Sequence, residues 1–129
     1  MKLRDRLWKT LTAIDGADVG SSVFADDDSS PALWANGKQI TNFRSDDTIE
    51  VRLTKKGISA ERSRLKADER IEVRKNSSDW LTVRFTTPGD IALVRELAEL
   101  AVAAHRPAGN ATSKPPPSGA DLARRRRFH

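Results

Sequence analysis

The residues best suited to chemistry in this sequence are arginines that share strand-like segments with one tryptophan and a few carboxylates. In "IEVRL" at 49–53, "RIEVRK" at 70–75 and "DWLTVRFT" at 79–86, alternation puts Glu50, Arg52, Glu72, Arg74, Trp80, Thr82 and Arg84 on one face. A guanidinium binds carboxylate or phosphate bidentately, and an indole offers a flat stacking surface. Arg52, Arg74, Trp80 and Arg84 are therefore the candidate ligand-binding set. Acid–base chemistry on this face or in a helix–sheet cleft would fall to Glu50 or Asp79, with Arg52 or Arg84 holding an anionic substrate. The plainer alternative is a solvated face whose Glu and Arg side chains pair across strands, and the even interleaving of acids favours it. Trp80 would then pack over the stem of Arg52, Arg74 or Arg84 and shield the sheet.

A second candidate is "ARRRRF" at 123–128. Arg124, Arg125, Arg126 and Arg127 could attract a polyanion in a salt-sensitive, sequence-independent way, or simply solubilise the tail. "DDD" at 26–28 offers oxygen ligands to a cation but lacks the glycine and distal glutamate of a calcium loop, so it reads as an acidic loop. The chain has no cysteine, which excludes disulfides, thiolate metal sites and cysteine nucleophiles. Its histidines are His105 and His129, and neither stands beside a second ligand type at metal spacing. His105 reads as a helix C-terminal residue. No catalytic motif, metal site or cofactor fingerprint emerges.

These residues need a scaffold, and 129 residues suffice for one small domain. The formal net charge is +5, of which residues 107–129 carry +4, so the remainder is nearly neutral. No apolar run reaches the roughly 20 residues of a membrane span, and "MKLRDRLWKTL" is too charged for a signal peptide, so a cytoplasmic protein is expected. Leu3, Leu7, Leu11 and Ile14 form one face of an N-terminal helix, which Gly16 ends. Asn36-Gly37 predicts a tight hairpin between strands at 32–35 and 38–44, and a third strand follows at 48–53. Thr54 caps a thin-striped helix over 54–67. Strands at 70–75 and 80–86 flank a turn at "NSSD", 76–79, with Leu81, Val83 and Phe85 facing inward. Thr87, Pro88 and Asp90 start a helix running to about His105 with a broad apolar face.

The expected fold is α+β, in α-βββ-α-ββ-α order. It has a mainly antiparallel sheet of about five strands and helices on one face. Residues 1–106 form the domain. Residues 107–129, rich in Pro, Gly and Arg, form a disordered basic tail.

The stretches "LWANGKQI", "IEVRLTKKGI" and "RIEVRKNSSDWLTVRF", followed by a long alanine-rich helix, resemble the bacterial luciferase-domain family. The resemblance covers 33–106 and rests most on Glu50 to Thr54, Ser78-Asp79-Trp80 and the spacing between them. It implies a small α/β protein without an assigned activity, and the residues give no support for light emission. Members of that family often carry histidines in the second hairpin strand, where this chain has Thr41-Asn42-Phe43-Arg44, which puts any role of those histidines in doubt here. The leading expectation is a non-catalytic binding or accessory module. The alternatives are a small enzyme using the outer sheet face or an adjacent cleft on an anionic substrate, and a weak polyanion binder acting through the tail.

Overall fold

A computed structural model describes residues 1–74, 78–109 and 111–128. Part of the expected "NSSD" turn, Asn76 and Ser77, lies outside the described residues. The fold is α+β and antiparallel, as expected, but the described strands number seven and form two sheets.

Helix α1 (Leu3–Thr12) leads into β1 (Asp18–Ser21), β2 (Pro31–Ala35) and β3 (Lys38–Gln39), which form the first sheet in the order β1-β2-β3. The Asn36-Gly37 turn joins β2 to β3 with positive φ at both residues (50° and 74°), as a type I′ turn requires. The strand expected at 38–44 is broken at Ile40. Its second part, β4 (Thr41–Phe43), belongs to the other sheet with β5 (Thr48–Arg52), β6 (Ile71–Val73) and β7 (Trp80–Arg84), in the order β4-β5-β7-β6. Ile40 joins the two sheets: its N–H donates to Leu33 O (2.8 Å), and its carbonyl accepts from Arg52 N (2.8 Å). β1 went unread in the sequence because its one large apolar side chain, Val19, faces solvent.

The helix expected at 54–67 is two short ones, α2 (Lys55–Ala60) and α3 (Arg62–Ala67), parted at Glu61. Thr54 Oγ1 accepts from Gly57 N (3.1 Å), so the N-cap is as expected. A side chain at Gly57 would meet Leu53 at 3.0 Å, and the bare glycine lets α2 lie close to the sheet. The long helix α4 (Pro88–Ala104) buries Leu93, Val94, Leu97, Ala98, Ala101 and Val102. They pack with Leu7 and Leu11 of α1, Ile58 and Leu65, and Ile49, Val51, Leu81, Val83 and Phe85 of the sheet in one core.

The basic tail, expected to be disordered, runs without helix or strand over 111–118 and then forms helix α5 (Gly119–Arg127). Leu122 of α5 is buried with Val23, Ala32 and Trp34 in a second, smaller cluster. β2 is thus covered on both sides: Leu33 and Ala35 face the main core, and Ala32 and Trp34 face α5.

Candidate functional site

The sequence places Glu50 on the sheet's outer, solvated face; the structure buries it (6% exposed). Its cover is the loop between β1 and β2, closed by Ser22 N donating to Ser30 O (2.9 Å). Beneath this loop runs a chain of buried polar contacts. Gln39 Nε2 donates to Ser22 Oγ (3.0 Å), Ser22 Oγ donates to Asn42 Oδ1 (2.9 Å), and Asn42 Nδ2 donates to Glu50 Oε1 (3.0 Å). The other carboxylate oxygen of Glu50 receives Arg74 and, at 3.6 Å, Arg44. Every buried polar group along this line has a partner, which is what makes its burial tolerable.

The end of that chain forms the floor of an open cleft of about 680 Å³, lined by Phe24, Asn42, Arg44, Glu50, Arg74 and Trp80 among others. Asn42 and Glu50 are direct partners across β4 and β5. Arg74 follows β6 and reaches Glu50 across β7, where the small Thr82 stands opposite both Glu50 and Glu72. Trp80 forms the wall. Phe24 meets it edge-to-face, with centroids 5.8 Å apart and planes at 79°.

Four candidate ligand residues came from the sequence, and the cleft gathers two of them, Arg74 and Trp80. Arg52 stands opposite Trp80 in register, with its guanidinium 5.9 Å from the indole, so the expected tryptophan–arginine contact is present. Arg84 is exposed, pairs with Thr48 in register, and does not line the cleft. Arg44, Asn42 and Phe24 were missed. Arg44 and Asn42 sit in a segment read as a strand and noted for its lack of histidines but not as a site, and Phe24 comes from a loop with no periodicity.

The two carboxylates proposed for acid–base work are both tied into structural contacts. Glu50 is held as described. Asp79 Oδ1 accepts Lys55 N (3.0 Å), its carbonyl accepts Thr54 N (3.0 Å), and Oδ2 faces Arg52 at 3.5 Å. These bonds hold Thr54 at φ 74°, a left-handed conformation that a threonine rarely adopts. Ser78 Oγ accepts Trp80 N (3.1 Å), so Ser78-Asp79-Trp80 anchors both the α2 start and the β7 start. His105 caps α4. Its Nδ1 donates to Ala101 O (2.7 Å), and burial pushes its pKa below the ordinary histidine value.

Of the tail arginines, Arg126 donates to Ser22 O (3.2 Å) and Asp27 O (2.8 Å) and pairs with Asp28 (2.9 Å). Arg125 donates to Gly37 O (3.3 Å) and lies 5.7 Å from the Trp34 ring. Arg124 and Arg127 are exposed. Within the acidic loop, the Ser29 hydroxyl and then its N–H (2.9 Å) bond to the Asp27 carboxylate and hold its pKa below the usual carboxylate value. Among the described residues no group of three His, Asp or Glu side chains is arranged to hold a metal ion, and no helix is long and apolar enough to cross a membrane. No family model matches the chain, and neither does any curated protein or solved structure.

Proposed function

We propose that this protein is a non-catalytic binding module of the luciferase-domain type, and that its cleft takes a small anionic ligand with one flat face. The observation that carries this reading is the pairing of two partly exposed guanidiniums, Arg44 and Arg74, with a half-buried tryptophan across one opening. Buried Glu50 accepts a hydrogen bond from Arg74 and faces Arg44 at 3.6 Å without satisfying either, since each guanidinium has five N–H donors and Glu50 offers them one oxygen. The donors are thereby oriented before a ligand arrives, which lowers the ordering cost of binding. A carboxylate or phosphate would meet the arginines while a ring stacks on Trp80, a contact worth ~1–3 kcal/mol for a base-like ring. The structural duties of Glu50 and Asp79 support binding over acid–base catalysis.

The test is tryptophan fluorescence of the full chain titrated with aromatic monocarboxylates and with nucleotides. A saturable change is expected that Trp80→Phe abolishes and that Arg74→Gln weakens about tenfold, the worth of one hydrogen bond to a charged group. A response unaltered by Trp80→Phe, or no response to either class, would count against the reading.

A further inference from the structure

The acidic loop and the arginine tail, two motifs that the cleft's binding chemistry leaves unused, meet each other in the fold. Successive residues of an α-helix turn by about 100°, so four consecutive arginines cannot all face one partner. Arg125 and Arg126 face the body of the protein. Arg126 is the more enclosed, with its side chain 17% exposed against 69% for Arg124. Arg124 points to solvent, and Arg127, although exposed, borders a groove against residues 23–26 beside Arg126.

Arg126 grips the 22–28 loop at both ends, through Ser22 O at one and Asp27 O and the Asp28 carboxylate at the other. Phe24 lies between these points, against Trp80 in the mouth of the cleft. Leu122, one turn earlier on α5, packs on Val23 of the same loop. The segment that roofs the cleft is therefore held from outside by α5.

We propose that α5 is a latch: docked, it keeps Phe24 on Trp80 and narrows the cleft, and a chain of closely spaced phosphates opens it by drawing Arg125 and Arg126 away. Such a chain attracts all four arginines, and they can reach it together only when α5 has left the sheet. Polyanion binding and the closed cleft are thus alternatives.

The experiment uses the full chain labelled with 5-fluorotryptophan, whose three ¹⁹F resonances are assigned by single Trp→Phe variants. Trp34 reports α5 docking, and Trp80 reports the cleft. Arg126→Ala, and separately Leu122→Ala, should shift both resonances and enlarge the solvent-isotope shift of Trp80. Inorganic polyphosphate added to the wild type at low ionic strength should produce the same paired shifts, and added salt should reverse them. A variant or polyphosphate that moves Trp34 and leaves Trp80 in place would overturn the coupling. Resonances unmoved by Arg126→Ala would overturn the latch itself, and a wild type indifferent to polyphosphate would overturn its release. No cleft ligand is used, so the outcome is separate from that of the binding reading.

Discussion

Asp90 accepts hydrogen bonds from Thr86 N (2.8 Å), Thr87 N (3.0 Å) and Arg70 Nη1 (2.8 Å) at the start of α4. Arg70 and these two amides hold its pKa at about 2, against 3.8 for a free side chain. A carboxylate whose folded pKa is depressed stabilises the fold above its unfolded pKa and loses that contribution as pH falls through the folded one. The contribution should therefore be complete above pH ~4 and decline towards pH ~2, and it amounts to about 2 kcal/mol. Urea midpoints of wild type and Asp90→Asn should differ at pH 5 and converge over that window. Gly20 carries a second prediction. A Cβ there would stand 2.8 Å from two atoms of the Trp34 ring, which is too close for either to stay. Gly20→Ala should cost about 1–3 kcal/mol, as overpacking does, measured by urea unfolding. In the core, Phe85 is fully buried, and Phe85→Ala should cost roughly 3–5 kcal/mol by the same measurement.

Elements with a strong period were legible from sequence. The α4 face, its Thr87-Pro88-Asp90 start and the inward Leu81, Val83 and Phe85 stand in the structure where their spacing puts them. The Asn36-Gly37 turn was legible because few residue pairs accept positive φ twice. The second sheet was not, because the break at Ile40 depends on hydrogen bonds to distant Leu33 and Arg52. Yet "ALWA" at 32–35 held a usable signal: four apolar residues without alternation describe a strand buried on both faces. Such a strand needs a second cover, and Leu122 of the tail supplies part of it. Composition argued for a disordered tail, and one leucine among arginines was too small a signal to oppose it. Deleting residues 118–129 should therefore cost about 1.5–3 kcal/mol, the worth of one buried leucine, read as a lowered urea midpoint. An unchanged midpoint would mean that α5 contributes no docking energy.

At the scale of the molecule, the candidate cleft was half legible. Arg74 and Trp80 could be named because alternation fixes which way a strand residue points. Glu50 was assigned to the right face, but the loop that buries that face has no pattern to announce it. Charge distribution misleads in a similar way: a tail of +4 suggests a free polycation, whereas Arg126 faces Asp28 within the same chain. Ile40, where one strand leaves the first sheet and enters the second, also bears on how the protein opens. The first sheet keeps only Val23, Ala32, Trp34 and Leu122 as a cluster of its own, too few side chains to persist alone. The residue that links it to the second sheet is fully buried and bonded on both sides. Neither sheet can detach without breaking Ile40 N–H to Leu33 or Arg52 N–H to Ile40, so the two should open in one cooperative event. In native-state hydrogen exchange, the amides of Ile40 and Arg52 should accordingly exchange together with the slowest amides of β5 and β7, through global unfolding alone.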